Sequence, residues 1–278
     1  MPDDMNKEWM DDYEENYSRF KSEWDAHYEQ IRNFIHSCLP HNVKHWGFMG
    51  VTNTIPEIDS RILNRISKIS LLDINDEALK RARIHLSSLF DFKNVEVQKF
   101  DNTCGFIDEV VSAFNKMETN DLSEKKLLEH LRDLDENFKL EHSSSNNNNG
   151  QFDLITHLGI MDYYMVPVYI KYCNRFQKNA DEFFELMRKL NDHSVRISLE
   201  LLHKLLVKNG LLIISTPVAR IPEGDPCDRS IFWLDSIENI IEECGFKVVS
   251  KTEHIWNEFP TDDGHSHIVQ NICCEKRK

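Results

Sequence analysis

The sequence predicts an α/β fold in which a mostly parallel, seven-stranded sheet carries helices on both faces. From residue 43 onward, short apolar runs alternate with helical stretches, the pattern of a parallel sheet covered on both sides. The last two strand segments have only a loop between them, so they must pair antiparallel or lie apart. We therefore expect one antiparallel strand near an edge of the sheet. A helical extension precedes the alternation.

The extension, residues 3–38, is predicted to be helical because its apolar residues recur every three or four positions. Pro40 ends this helix. The apolar stripe is unusually aromatic and includes Trp9, Tyr13 and Trp24. Two interpretations stay open: a helix packed on the core, or a lid whose rings line a substrate pocket.

The strands and helices that follow are placed by their apolar periodicity and by their capping residues. The predicted strands are 43–48, 68–74, 94–100, 152–158, 210–216, 246–254 and 267–274. The predicted helices between them are 54–68, a helix capped by Asn75, 195–208 and 236–244.

Two stretches interrupt the alternation. Residues 106–150 contain helical turns and finish in the polar run SSSNNNNG, and residues 161–194 are rich in Tyr and Phe. We therefore divide the chain into an N-terminal helical lid (1–40) and a main domain (41–278) with insertions at about 106–150 and 161–194.

The charge balance excludes some partners. The chain has 33 Lys and Arg against 47 Asp and Glu, a net charge of −14. Such a field repels phosphate backbones and anionic lipid, so we expect no nucleic-acid or membrane partner. No apolar run approaches the ~20 residues of a membrane span. The first residues, MPDDMNKEW, lack the features of a signal peptide, which favours a cytoplasmic location.

The cysteines and histidines give no strong metal or disulfide pattern. Seven cysteines without a C-x-x-C spacing favour reduced thiols in a cytosolic compartment. His265-Ser266-His267 could chelate a metal from a strand, but a turn entering a strand explains it better. We therefore assign no metal ligands.

Four segments, in this order, resemble the class I S-adenosylmethionine-dependent methyltransferases. They are ISLLDINDEALKRAR (69–83), VQKFDNT (97–103), FDLITHLGIMDYY (152–164) and LLHKLLVKNGLLIISTP (201–217). They are similar to the family's second strand and helix, its third strand, its fourth strand, and the helix, turn and fifth strand. The resemblance covers about residues 43–274. It implies a Rossmann-like sheet and S-adenosylmethionine as cofactor.

The resemblance also implies roles for residues at the strand ends. Asp73 would bind the two ribose hydroxyls of the cofactor, and Asp101 would meet the adenine amino group. Ile74, Asn102 and His157 are placed beside them as further cofactor contacts. The physical logic agrees, because ligands of open α/β sheets bind outside the carboxyl ends of the strands.

The first motif departs from the family pattern of an acidic residue followed by G-x-G-x-G. Aligning Gly47 with the first glycine puts His45 in the acid position and displaces Gly50 by one. Gly47, Phe48 and Gly50 are the predicted cofactor contacts of this turn. The gap from Gly47 to Asp73 is 26 residues, longer than the ~20 of such fingerprints.

Methyl transfer from a sulfonium needs the protein mainly to position the nucleophile and to exclude water. A base is needed only for a protonated nucleophile, and His157 and Tyr163 are the candidate catalytic residues. A hydrogen-bonded histidine at a strand end is the alternative interpretation of His157.

Three functions remain. We expect methyl transfer to an O or N atom of a small-molecule acceptor. A catalytically inactive binding protein and a protein methyltransferase are the alternatives. The terminal strand pair argues against a nicotinamide-dependent enzyme. The oligomeric state stays open.

Overall fold

The computed structural model describes residues 15, 17–51, 55–90, 94–119, 121–138, 150–158, 164–221, 237–259 and 265–277. Its helices are α1 (Lys21–Cys38), α2 (Ser60–Leu63), α3 (Asp76–Phe90), α4 (Phe106–Glu118), α5 (Glu124–Asn137), α6 (Val166–Tyr172), α7 (Ala180–Leu205) and α8 (Ile237–Glu243). Its strands are β1 (Trp46–Met49), β2 (Ile69–Asp73), β3 (Val95–Lys99), β4 (Phe152–Leu158), β5 (Leu206–Ile221), β6 (Phe246–Phe259) and β7 (His265–Lys276).

The predicted α/β fold is confirmed. The strands form one seven-stranded sheet in the order β3-β2-β1-β4-β5-β7-β6. The pairs from β3 to β5 are parallel, whereas β7 is antiparallel to both β5 and β6. The single antiparallel strand therefore lies next to the edge, inserted between β5 and β6.

The antiparallel half of the sheet is longer than the parallel half. β1, β2 and β3 have four or five residues, whereas β5 has 16. The β4–β5 pairing ends at Leu158 and Ser215, but β5 continues beside β7 to the pair Ile221 and Ser266. A ribbon of antiparallel strands therefore projects past the carboxyl ends of the parallel strands.

Two helix boundaries differ from the sequence prediction. The helix expected over 54–68 is a single turn, α2, which Asp59 caps by accepting a bond from the Ile62 amide. The chain leaves this turn because Ile66 forms a bridge with Val43. The helix expected from Val195 begins at Ala180 instead, so part of the expected second insertion is the first half of α7.

Each face of the sheet carries its own apolar core. The core on one face is formed with α4, α5, α6, α7 and α8, and the core on the other face with α1, α2 and α3. His157 lies beside Ile155 on β4 and is fully buried. It belongs to neither apolar cluster because its side chain is polar. Among the described residues, none of the helices is long and apolar enough to cross a bilayer.

The N-terminal helix packs onto the sheet through its aromatic stripe. Phe20, Trp24 and Tyr28 are each at most 5% exposed and belong to the core that α1 shares with α2 and α3. The ring of Trp24 meets that of Trp256 on β6 edge to face, at 5.3 Å between centroids. Core packing is therefore the role of the described part of this helix. Trp9 and Tyr13 lie outside the described residues, so the lid stays a prediction.

Candidate active site

The candidate site lies where the order of the strands reverses. β1 pairs with β2 on one side and with β4 on the other, so the chain leaves their carboxyl ends in opposite directions. In open α/β sheets this switch point opens a crevice that receives the ligand. The described residues that directly follow β1, β2 and β3 line this edge, beside the end of β4.

The turn after β1 is held to the end of β2 by a carboxylate. Gly50 has a φ of 77°, a conformation that glycine adopts without a steric cost, and its amide donates to the Leu72 carbonyl at 3.3 Å. The next amide, of Val51, donates to Asp73 Oδ2 at 2.9 Å, while the Asn75 amide donates to Oδ1 at 2.8 Å. Burial raises the pKa of the Asp73 carboxyl, and these amide bonds partly offset the rise.

This geometry moves the glycine motif by three residues. Gly47 lies inside β1, opposite Ser70 and Ile155, and a Cβ there would come 3.2 Å from the Phe152 ring. Phe48 is likewise a strand residue, 1% exposed in the core. Neither residue forms the turn, so the expectation that they contact the cofactor there is not supported.

Gly50, which does form this turn, is the glycine to align with the first position of the family pattern. The second and third glycine positions are then Thr52 and Thr54, and the acid position is Phe48. The gap from Gly50 to Asp73 is 23 residues, closer to the usual ~20 than the gap from Gly47. His45 lies at the opposite ends of the strands, where its Nε2 contacts the Ser70 hydroxyl at 2.7 Å.

Asp101 follows β3 and organises the turn that leads into α4. Its Oδ1 accepts from the Thr103 amide at 2.8 Å and from the Thr103 hydroxyl at 2.7 Å, and its Oδ2 accepts from the Gly105 amide at 2.5 Å. The turn begins beside Asp73, because the Phe100 amide donates to the Asp73 carbonyl at 2.8 Å. The two carboxylates are thus at neighbouring strand ends, as predicted, and each stabilises its own turn.

Asn102 joins the next strand end to α7. Its Nδ2 lies 2.9 Å from His157 Nε2, 2.5 Å from the Tyr164 hydroxyl and 3.3 Å from the Ser198 hydroxyl. His157 Nε2 is also 3.0 Å from the Tyr164 hydroxyl. These four side chains form the Asn102 cluster. Ser198 could not be found from the sequence, because it lies on a helix whose pattern indicates only core packing.

Burial decides the protonation of the Asn102 cluster. It lowers the pKa of His157 to about 4, and it raises the pKa of the Tyr164 hydroxyl. The histidine is 0% exposed and is therefore neutral near pH 7, with Nε2 free to accept a hydrogen bond from Asn102. A ring so enclosed and so weakly basic holds its neighbours in place rather than removing a proton from an acceptor. Tyr163, the other candidate catalytic residue, lies outside the described residues.

A buried carboxyl group that the sequence analysis missed lies in the segment between β1 and α2. Glu57 is 7% exposed, and burial raises the pKa of its carboxyl to about 7, although the Arg32 guanidinium opposes the shift. Arg32, on α1, donates to the carbonyl of the neighbouring Pro56. The burial of Glu57 cannot be read from the sequence, although two isoleucines are close to it in the chain. Acidic residues in loops are usually solvated.

Metal binding has no support in the described ranges, where no three His, Cys, Asp or Glu side chains are grouped to hold an ion.

Ile74, another predicted cofactor contact, follows Asp73 directly and is half-buried. The part of the predicted site that the structure brings together is therefore Gly50, Asp73, Ile74, Asp101 and Asn102, with His157 beneath.

No family model and no curated protein sequence matches the chain. Solved structures do match it in fold. One is the 1,6-didemethyltoxoflavin-N1-methyltransferase of Burkholderia thailandensis, solved with 1,6-didemethyltoxoflavin and S-adenosylhomocysteine, at 11% identity and a TM-score of 0.50, covering 100% of this chain and 91% of that chain. Another is a Bacillus halodurans protein assigned as a methyltransferase, at 12% identity and a TM-score of 0.50, covering 91% and 99%. At such identities the likeness is one of fold, and this chain has the fold of the class I S-adenosylmethionine-dependent methyltransferases.

Proposed function

We propose that this chain, which has the class I methyltransferase fold, transfers a methyl group from S-adenosylmethionine to a small-molecule acceptor. The observation that carries the proposal is the Asp73 carboxylate, fixed at the end of β2 beside the Gly50 turn. It lies at the edge of the sheet where the strand order reverses. The sequence resemblance assigns the same residue to the cofactor's ribose.

The side chains present fit the ribose end of the cofactor. The Asp73 carboxylate accepts from the Val51, Asn75 and Ile74 amides, and a carboxylate has about four acceptor positions, so it can still accept from a hydroxyl of a vicinal diol. Gly50 lets the backbone approach the ligand without a Cβ. Ile74 offers an apolar surface, and Asp101 retains acceptor positions for an amine. Bound S-adenosylmethionine would supply an electrophilic methyl group with its own leaving group.

The chain's own contribution is then positioning. Asn102, anchored through His157 and Tyr164, holds the loop after β3 against α7. The neutral, enclosed His157 supports that loop and does not act as the base. Tyr163 remains the proposed side chain next to the acceptor, since it immediately precedes the anchored Tyr164.

A small-molecule acceptor is supported by the Burkholderia enzyme, whose structure contains such a substrate. The acidic net charge would suit a basic acceptor and keeps a protein substrate as the alternative. A second candidate function, cofactor-independent binding without catalysis, is favoured by the loss of two glycines at Thr52 and Thr54.

Isothermal titration with S-adenosylhomocysteine tests the proposal. We expect binding to the wild-type chain. Asp73→Asn should weaken it by about 2–4 kcal/mol, or roughly 30- to 900-fold, because charge-assisted hydrogen bonding to the diol is lost. The matched control is Asp76→Asn, because Asp76 is exposed on the first turn of α3 and pairs only with Lys99 among its described ionic contacts. This control should bind like the wild type.

The outcomes separate the candidate functions. No heat and no thermal shift at millimolar cofactor would favour the non-catalytic protein. Binding that is insensitive to Asp73→Asn would mean that the ribose contact is misassigned. A turnover assay supplies S-adenosylmethionine together with mixed small-molecule amines and phenols, and measures the S-adenosylhomocysteine released. If the chain binds the cofactor but releases no S-adenosylhomocysteine, the cofactor assignment stands and this acceptor class is contradicted.

A further inference from the structure

The sheet ends on one side in a long strand. β6 is the last of the described strands and pairs only with β7 among them, yet it has 14 residues, whereas the opposite edge strand β3 has five. Between two irregularities in its register, β6 pairs regularly with β7 over residues 250–256. A long, regular edge presents a row of backbone amides and carbonyls to another strand. β6 is therefore the described edge to which a further strand can add.

The helices beside β6 leave the middle of this edge accessible. α1 packs on one face through His254 and Trp256, further along the strand. α8 reaches the other face through the ion pair of Glu238 with Lys251, at 2.6 Å. Residues 250–253 are nonetheless all exposed, although their side chains alternate between the two faces. A strand of another molecule therefore has room along β6 without displacing either helix.

We propose that β6 is the interface of a homodimer, in which the β6 strands of two copies pair antiparallel about a two-fold axis at Thr252. In that register Lys251 lies opposite Glu253 of the second copy, and by symmetry Glu253 lies opposite Lys251. The two seven-stranded sheets become one continuous sheet, with both copies of α1 on the same face.

The charges on β6 favour this register over its neighbours. Lys251 Nζ lies 3.6 Å from Glu253 Oε1 on the same strand, and an ammonium has donors for more than one carboxylate. Facing the same pair in reverse order, the two side chains form a square of alternating charges. A slip of two residues would place Lys251 opposite itself or Glu253 opposite itself, and like charges directly opposite destabilise a sheet. A slip of one residue would exchange the faces of one strand.

The apolar residues that β6 exposes agree with the charges. Val249 is 48% exposed and Ile255 is 63% exposed, at the two ends of the stretch that carries the charged pair. The same register brings Val249 beside Ile255 of the second copy, on both sides of the axis. On the axis itself, Thr252 meets its own counterpart, and β-branched pairs of this kind stabilise antiparallel strands. The partner that fits this edge is therefore a second copy of the chain.

Analytical ultracentrifugation of the full chain tests the proposal. The wild-type chain should sediment as a species of 32.8 kDa at low concentration and approach twice that mass as the concentration is raised. Lys251→Glu and Glu253→Lys should each weaken dimerisation roughly tenfold or more, because either change opposes like charges twice across the axis. Lys125→Glu, which reverses an 88%-exposed lysine on α5, is the matched control and should dimerise like the wild type.

Two rescue experiments separate a register-specific interface from a loss of folding. The double variant Lys251→Glu/Glu253→Lys should recover the homodimer, and an equimolar mixture of the two single variants should form a heterodimer, because opposite charges then face each other again. Should a single variant fail to fold, Thr252→Cys replaces it. A short bismaleimide should link two chains through this position, since opposite residues lie about 5 Å apart, and should leave the wild-type chain unlinked. A chain that stays monomeric at every concentration, a dimer that tolerates both single charge reversals, or no link through Thr252→Cys would overturn the proposal.

Discussion

The buried His157 makes a quantitative prediction about stability and pH. Burial lowers its pKa from 6.5 to about 4 in the folded chain. Between these values the unfolded chain binds a proton that the folded chain does not, so the free energy of unfolding falls as the pH falls. The full loss is about 3 kcal/mol at pH 4, and roughly 2 kcal/mol has been lost at pH 5.

His157→Gln removes this proton linkage and keeps a polar group that can reach Asn102. We expect the variant to be less stable than the wild type at pH 7.5, because the packing and hydrogen bonds of the ring are lost. The difference should shrink by about 2 kcal/mol between pH 7.5 and pH 5. Urea unfolding followed by tryptophan fluorescence at several pH values measures it.

The control is His41→Gln, since His41 is an exposed histidine in the loop before β1. Its unfolding free energy should run parallel to that of the wild type across the same pH range. If the curves of His157→Gln and wild type were also parallel, His157 would not be a buried neutral group, and the Asn102 cluster would need a different description.

Three more predictions concern other described groups. Burial raises the pKa of Glu57 from 4.5 to about 7, so its contribution to the free energy of unfolding is lost as the pH rises through this range. The unfolding free energy of Glu57→Gln should therefore gain about 3 kcal/mol relative to that of the wild type between pH 4.5 and pH 8 in the same urea series. Trp24→Ala should cost about 3–5 kcal/mol in unfolding free energy, because a ring that is 3% exposed leaves a cavity against Trp256, whereas the exposed Lys21→Ala should cost little. Deleting residues 1–14 should leave melting temperature and S-adenosylhomocysteine affinity unchanged but lower turnover if these residues form the lid; unchanged turnover would exclude a lid there.

Much of the fold follows from the sequence because each strand is marked by its own apolar run. FDLITHL begins after the polar Gln151 and ends before Gly159, and structure and prediction agree on its limits. The turn after β1 is different. Apolar residues continue through Met49 and Val51, so hydrophobicity alone does not show where β1 ends. The glycine spacing by itself therefore predicts the turn at Gly47. The pairing of β1 with β2 and β4 fixes the end at Met49.

The strand-end carboxylates could be predicted, whereas their partners could not. Asp73 and Asp101 occupy the ends of β2 and β3, which the local pattern identifies. The contact of Asn102 with Ser198 joins residues 96 positions apart, and only the packing of α7 on the sheet brings them together. The burial of Glu57 likewise depends on α1, through the bond from Arg32 to Pro56.

The position of β7 has a consequence for how the chain reaches its folded state. Because β7 lies between β5 and β6, neither of these strands can complete its pairing until the segment His265–Lys276 is available. An unfinished chain would therefore present the 16-residue β5 as an unpaired edge, and such edges template aggregation. Loss of β7 would thus harm the protein more than loss of β3 at the far edge, because β5 and β6 would both lose their shared partner.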